Sequence, residues 1–285
     1  MTSIHRYLSD TNVKRLLTLL ILIIILFWPV INEMYETWMR DSNNSHGILV
    51  PLIVVYLIRD RLIKDKDSFR QSTLEKRHIN IGFIGIMGAL LLYLFSSIVD
   101  IVAFKNISFV FSLQSIVLFV FGWGVFYKLL FPLFFLLFMI PVPVTVHGLV
   151  SLPMQLFSTR LTVFILKFTS LPVVADGNII RIGNEMLTVA EACSGLRSLM
   201  SFIMLSLLFA YLAKISYWKK GLMVLSSVPI AISGNIVRLI FTSFIAYIYG
   251  SRVASGFIHD ASGYVMFVLA FVVFFWLSRI LERSS

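Results

Sequence analysis

A chain of 285 residues in which 59% are apolar and only 13% are charged is neither an ordinary soluble globular protein nor a disordered one. Soluble domains average about 45–50% apolar and about 25% charged residues, so this composition indicates a chain that lies mostly in lipid. The formal charge of +10 comes from 24 Lys and Arg against 14 Asp and Glu, which in a membrane protein is typical of cytoplasmic loops beside anionic headgroups. We see no basic soluble face of the kind that nucleic-acid binding requires.

Apolar runs along the chain predict an all-α polytopic membrane protein with about eight transmembrane helices, because about 20 apolar residues cross a bilayer. The first run follows Lys14 and Arg15 and has no small-residue cleavage site, so we interpret it as an uncleaved anchor rather than a signal peptide. The second run is short, and the fourth and fifth are separated by a very tight turn. The runs are 16–31, 47–58, 79–98, 107–127, 129–146, 196–213, 222–248 and 264–280.

The distribution of Lys and Arg predicts the orientation of these spans. With the N-terminus inside, two thirds of the Lys and Arg fall on cytoplasmic pieces and a quarter on the other side. We therefore predict a multi-pass membrane protein with both termini cytoplasmic. Residues 1–285 then form a single integral membrane domain, and its only sizeable non-spanning piece, about 141–192, faces outward.

Two elements are predicted within this outward piece. Residues 149–168 are apolar and predict a helix that lies along the membrane interface or re-enters it. Residues 178–189 predict a small β-hairpin with Gly183-Asn184 at its turn. We interpret Asp176-Gly177 as a further turn.

Cys193 follows the hairpin, where the outward piece gives way to the sixth predicted span. It is the single cysteine, which excludes an intrachain disulfide and a Cys-rich metal site. A thiol at a helix N-terminus is favoured as thiolate, and Arg197, one helical turn further on, would favour the thiolate more. A lone cysteine is also commonly a buried small apolar side chain, so position alone leaves both interpretations open.

Arg238 lies inside the seventh predicted span, about 15 Å below its outer end. An arginine near the membrane centre costs about 2.5–3.5 kcal/mol, so a partner, a polar cavity or a ligand must compensate. Asn235 lies three residues earlier and forms one polar stripe with Arg238. The alternative is a structural arginine that satisfies the carbonyls of a helix broken at Ser233-Gly234.

His259 is predicted on the outer side, just before the last span, where Asp260 or Ser262 can cap the helix. Cys193, Arg238 and His259 together predict a thiol transferase site. In that site the thiolate attacks a carbonyl, the imidazole moves the proton and the guanidinium holds the oxyanion.

His46 is also predicted to face outward and to line the same cleft, although an interfacial histidine is the simpler interpretation. A zinc site built from His46, Glu191, His259 and Asp260 shows no tight ligand spacing on one element. We therefore predict no metal and no cofactor.

Several motifs resemble those of the exosortase/archaeosortase family. They read Glu191-Ala192-Cys193-Ser194-Gly195-Leu196-Arg197, Asn235-Ile236-Val237-Arg238, and His259 four residues before Gly263. The early stretch Ser45-His46-Gly47-Ile48-Leu49-Val50-Pro51 also looks like that family's first motif.

This resemblance implies a membrane-embedded thiol protease or transpeptidase that acts on secreted proteins. Their C-terminal sorting signal would consist of a short motif such as Pro-Glu-Pro, a transmembrane helix and a basic tail. The family's catalytic residues match Cys193, Arg238 and His259. Archaeal relatives can carry arginine at the position that corresponds to His259, so the histidine here indicates the bacterial exosortase branch. That branch implies a protein of the plasma (inner) membrane. The expected partners are such secreted proteins and membrane lipids.

Three other functions remain open on the sequence. A non-enzymatic membrane component of exopolysaccharide export would tolerate the loss of Cys193 and Arg238. A transporter usually contains paired broken helices, and we find no half-repeat that matches the break predicted at Ser233-Gly234. A thiol-dependent lipid acyltransferase would use Cys193 as its acyl carrier.

Overall fold

The computed structural model of the protein describes residues 10–64, 76–189, 196–254 and 257–283. Most of these residues are helical. The helices are α1 (Asp10–Leu26), α2 (Trp28–Arg40), α3 (Leu49–Lys64), α4 (Lys76–Val99), α5 (Val102–Lys128), α6 (Leu130–Phe135), α7 (Val144–Leu166), α8 (Leu196–Leu212), α9 (Tyr217–Tyr249), α10 (Ser251–Ala254) and α11 (Phe257–Arg283). The strands are β1 (Val173–Asp176), β2 (Ile179–Ile182) and β3 (Glu185–Thr188), and short 3-10 turns cover Ser45–Ile48 and Leu136–Met139.

The chain divides into two compact units, Met1–Val142 and Pro143–Ser285. In the first unit, α4 and α5 form the most extensive helix pair. They approach closely because Gly82 lies directly against the backbone of Phe119, where a Cβ atom would overlap it. α5 kinks at Gly122, whose φ of 76° is a conformation that glycine adopts readily. The single membrane domain that the sequence predicts stays a prediction.

Among the described residues, five helices are long and apolar enough to cross a membrane, or six if the bent pair α1–α2 counts as one span. Four of the five agree with predicted runs: Asn80–Val99, Val102–Lys128, Tyr217–Tyr249 and Ala261–Arg283. The fifth is Gly148–Leu166, inside the piece that we predicted to be non-spanning. The predicted count of about eight is therefore not confirmed.

The remaining predicted runs form shorter or bent helices. The first bends by 70° between α1 and α2, where Pro29 lies in the opening turn of α2. The second gives α3, and the sixth gives α8, which has 17 residues. The run 129–146 is divided into α6 and a 3-10 turn that ends at Met139. The chain is then extended through Pro141 and Pro143, which cannot continue a helix.

The predicted hairpin is confirmed and is part of a three-stranded antiparallel sheet in the order β1-β2-β3. Gly183 begins the β2–β3 turn with a φ of 58°, and Gly177 begins the β1–β2 turn with a φ of 61°. Glycine at the first turn position suits a tight two-residue hairpin. One face of the sheet is buried against α7 and α9. The shared core contains Val163, Leu166, Val173, Ile180, Ile182, Leu187, Leu239 and Ala246.

The other core of the second unit lies between α8, α9 and α11, which pack against each other in all three pairs. Its buried side chains include Phe202, Met223, Ala231, Ala270 and Phe274. α9 and α11 run antiparallel, since Gly234 faces Met266 while Lys219, nearer the start of α9, donates from Nζ to the carbonyl oxygen of Leu281 at 3.1 Å.

The predicted break at Ser233-Gly234 is wrong, because α9 is one continuous helix of 33 residues. A glycine inside a helix costs only about 1 kcal/mol relative to alanine. The packing of α9 against α8 and α11 stabilises the continuous helix by more than that cost.

Candidate functional site

Arg238 lies about two thirds of the way along α9 and is half-buried. Its Nε–H donates a hydrogen bond to the Oγ of Ser262 in α11, at 3.0 Å. Tyr249 lies eleven positions further on, so Arg238 is about 16 Å from the C-terminal end of the helix. The polar partner that the sequence predicted for this arginine is therefore present. Since the helix is continuous, the alternative in which Arg238 satisfies the carbonyls of a break is wrong.

Asn235 lies one turn before Arg238 and is only 3% exposed. Its Nδ2 donates to the Oγ of Ser158 in α7 at 3.2 Å, and Ser158 is 1% exposed. Asn235 and Arg238 are thus neighbours on α9 that bond to different helices, α7 and α11. Within one turn of α9, these two hydrogen bonds attach it to both α7 and α11.

His259 lies in the first turn of α11, before Ala261–Arg283, the part of that helix that is long and apolar enough to cross a membrane. Because α11 begins at Phe257, the prediction that Asp260 or Ser262 caps the helix is wrong. Ser262 instead accepts the hydrogen bond from Arg238. Position 259 is one turn before Ser262, on the same helix face by spacing. The side chains of His259 and Asp260 lie outside what the structure describes.

Cys193 and Glu191 also lie outside the described residues, which resume at Leu196, the first residue of α8. The favourable effect of Arg197 on a Cys193 thiolate therefore stays a prediction. Arg197 itself is half-buried in the first turn of α8. On the other side of the gap, Val189 is buried and its N–H donates to the carbonyl oxygen of Asn178 at 2.8 Å.

A buried polar face on α7 meets both Asn178 and Asn235. The side chains of this face recur at intervals of three and four residues, the helical period: Ser151, Gln155, Ser158, Thr159 and Thr162. Gln155 Oε1 accepts from Asn178 Nδ2 at 3.1 Å, and Gln155 Nε2 donates to Ser151 Oγ at 2.9 Å.

This polar face was not predicted from the sequence, although Ser, Gln and Thr recur at helical spacing within residues 149–168. Gln155 is one turn from Ser158 on α7. The end of β3, which precedes Cys193 in the chain, is therefore connected through Asn178 to the face of α7 that also bonds to Asn235.

His46 belongs to the first unit, in the 3-10 turn Ser45–Ile48. The turn is held by its neighbours: the Asp41 carboxylate accepts from the N–H of Asn43 and from Asn44 Nδ2, and Asn44 Oδ1 accepts from the N–H of Val142. Burial lowers the pKa of His46, which favours the neutral imidazole at pH 7. That His46 lines the same site as Cys193 stays a prediction.

Within the described part of the chain, no group of three or more His, Cys, Asp and Glu side chains could hold a metal ion. The zinc set considered above includes Glu191, His259 and Asp260, whose side chains are not described. The expectation that the protein needs no metal and no cofactor therefore stays a prediction.

The family model described as transmembrane exosortase matches residues 38–276, which include Ser45-His46-Gly47, Cys193, Arg238 and His259. No curated protein and no solved structure matches the chain.

Proposed function

Because the chain belongs to the transmembrane exosortase family, we propose that it is a membrane-embedded cysteine peptidase or transpeptidase that removes the C-terminal sorting signal of secreted proteins. The family and the apolar helices make it a multi-pass membrane protein. The observation that carries the proposal is the hydrogen bond from Arg238 Nε to Ser262 Oγ at 3.0 Å. It brings the arginine to the helix turn that follows His259.

The arrangement of α8 supports a place for Cys193 in the same site. Residues 213–216 join α8 to α9, and the two helices pack side by side. At about 1.5 Å per residue, Leu196 lies about 24 Å along α8 from this connection, and Arg238 lies about 32 Å along α9. Since Cys193 is only three residues before Leu196, we propose that the thiol and the guanidinium lie at comparable depth.

In the proposed first step, the Cys193 thiolate attacks the scissile carbonyl carbon and a C–S bond forms. The carbonyl oxygen becomes an oxyanion, which the Arg238 guanidinium stabilises. Arginine has five N–H donors in a planar fork, so a contact through Nε is compatible with acceptors at its terminal nitrogens. The intermediate collapses when the C–N bond breaks, and the imidazolium of His259 protonates the leaving amine. The products are a thioester and a released helix with its basic tail.

In the second step, water or an amine attacks the thioester, and His259 accepts the proton of the attacking group. The C–S bond then breaks and the thiolate is restored. Water as the acceptor gives a peptidase, and an amine gives a transpeptidase. Neither step requires a metal or an organic cofactor.

The proposed substrate is a secreted protein with a short motif such as Pro-Glu-Pro, a transmembrane helix and a basic tail. A basic tail stays cytoplasmic for the same reason that orients the loops of this chain. We therefore propose an active site on the outer side of the bacterial inner membrane, with both termini of the enzyme cytoplasmic.

The test is co-expression of a secreted protein that ends in motif, helix and basic tail with either the wild-type chain or Cys193→Ala. Mass spectrometry of the mature C-terminus should show processing only with the wild type. Arg181→Ala, which breaks an exposed ion pair with Asp176, is the control and should process normally. Processing by Cys193→Ala would refute the proposal and favour the non-enzymatic export component. A Cys193 adduct with the mass of an acyl chain would identify an acyltransferase.

A further inference from the structure

We propose that Glu185 is a positioning residue that sets the His259 segment relative to Cys193; the inference rests on the proposed function. Glu185 opens β3, the strand whose end leads to Cys193. Through its side chain it also holds the start of α10, whose end leads to His259. The β2–β3 hairpin therefore connects the two chain segments that carry the proposed nucleophile and the proposed acid and base.

The contact with α10 is a helix-terminus contact. Glu185 Oε2 accepts a hydrogen bond from the N–H of Ser251, the first residue of α10, at 2.8 Å. The Ser251 side chain also bonds to this carboxylate, and the two hydrogen bonds lower the pKa of Glu185. The carboxylate thus supplies an acceptor for the N–H of the first residue of this four-residue helix.

The backbone around this contact is tightly specified. Gly250 follows the last residue of α9 and has a φ of 90°, a conformation that residues other than glycine rarely adopt. At the hairpin turn, a Cβ on Gly183 would lie 3.7 Å from the ring of Tyr247. Ala254 at the end of α10 is fully buried in the core that includes Ile182 and Leu187. Glu185 therefore bonds to the connection between α9 and α10, and this connection packs directly against the sheet.

The opposite end of the hairpin is fixed as well. The N–H of Val189 donates to the carbonyl oxygen of Asn178, and the Asn178 side chain bonds to Gln155 of α7. Glu185 precedes Cys193 by eight residues, and Ser251 precedes His259 by eight residues. The contact between Glu185 and Ser251 thus joins two points of the chain, one eight residues before Cys193 and the other eight residues before His259.

The single cysteine gives a direct readout of this effect, because alkylation of the protein reports on Cys193 alone. A nearby imidazolium lowers the pKa of a thiol, so losing its correct position raises the pH midpoint of alkylation. The experiment measures alkylation rate by iodoacetamide against pH for the full-length protein in detergent. The variants are Glu185→Ala, Glu185→Gln, His259→Ala and the double variant Glu185→Ala/His259→Ala. Asp176→Asn, which breaks an exposed ion pair on the same sheet, is the control.

We expect His259→Ala and Glu185→Ala each to slow alkylation at neutral pH on the order of tenfold, the effect of one pKa unit on the thiolate fraction. The double variant should be no slower than His259→Ala, because Glu185 acts through the histidine. Glu185→Gln keeps one acceptor oxygen and should fall between wild type and Glu185→Ala, which also covers the case in which the alanine variant fails to fold. Asp176→Asn should match wild type.

Three outcomes would contradict the inference. A wild-type profile for both Glu185 variants, or additive effects in the double variant, would overturn it and leave the proposed function intact. An unchanged profile for His259→Ala would refute the proposed pairing of Cys193 with His259, and the inference with it.

Discussion

Asn235 donates from its side-chain amide to the Oγ of Ser158 at 3.2 Å, and both side chains are almost fully buried between α9 and α7. The two residues are 77 positions apart in the chain. This bond holds α7 to α9 one turn away from Arg238. It links the polar face of α7 to the proposed catalytic arginine.

This pair should be energetically coupled. In a double-mutant cycle of Asn235→Ala and Ser158→Ala, we expect a coupling energy of about 0.6 kcal/mol and at most about 1.7 kcal/mol, the range measured for hydrogen bonds between transmembrane helices. The measurement is the free energy of unfolding in detergent. Ser206→Ala is the control partner, because the Ser206 hydroxyl bonds to a carbonyl of its own helix. Strict additivity for Asn235 and Ser158 would show that their bond contributes nothing.

Arg238 should not be replaceable by lysine. Arg238→Lys keeps the positive charge but loses the planar fork that can bond to Ser262 and to an oxyanion together. We expect processing to fall by about 10²–10³-fold, the usual effect of losing an oxyanion donor. Ser262→Ala removes only the orienting acceptor and should cost less, on the order of tenfold. The rate of appearance of the mature C-terminus measures both effects. Equal activity of Arg238→Lys and the wild type would contradict the oxyanion role.

The contact between Glu185 and Ser251 should weaken in acid. The pKa of Glu185 is lower in the folded protein than in the unfolded chain, because Ser251 donates to the carboxylate. Its stabilising contribution is therefore complete above the unfolded pKa and is lost as the pH falls through the lower folded pKa. Thermal unfolding between pH 7 and pH 3 should show a smaller acid loss for Glu185→Gln than for wild type. Parallel curves would contradict this assignment.

Gly47 should tolerate no side chain. A Cβ at this position would overlap the indole of Trp38, whose Nε1 donates to the carbonyl oxygen of Met139 at 2.9 Å. We expect Gly47→Ala to destabilise the protein by about 1–3 kcal/mol, the usual cost of overpacking. Gly88→Ala is a matched control inside α4, because open space surrounds that position. It should be neutral or stabilising by up to about 1 kcal/mol. Equal stability of Gly47→Ala and wild type in thermal unfolding would refute this prediction.

The sequence predicted those features that depend on local chemistry. The prediction of the β2–β3 turn was correct, because Gly183-Asn184 between two strand-forming stretches favours a two-residue hairpin. Arg238 was correctly expected to have a polar partner, because a half-buried guanidinium among apolar side chains needs one whatever the fold. The break at Ser233-Gly234 was wrong, because tertiary packing overrides the weak helix propensity of these two residues.

Other features could not be predicted, because they depend on contacts between distant parts of the chain. Hydropathy does not distinguish a helix that crosses the membrane from one that lies along its interface or re-enters it, so the interpretation of residues 149–168 stays a prediction. The bond between Asn235 and Ser158 leaves no local signal in either stretch of sequence. The run 129–146 is apolar enough to span, but the chain leaves the helix at Pro141 and Pro143, so only Leu130–Met139 remains as a short apolar helix.

The length of α9 has a consequence for where water can reach the protein. Its 33 residues measure about 50 Å, roughly 20 Å more than the hydrocarbon thickness of a bilayer. A sheet with open edges is not stable in contact with lipid tails, so we expect the surplus to project at the end of α9 against which the sheet packs. Arg238, about 16 Å from that end, would then lie near the boundary between headgroups and acyl chains. Bond cleavage at that boundary could draw its water from the aqueous phase, while the hydrophobic part of the substrate stays dissolved in the membrane.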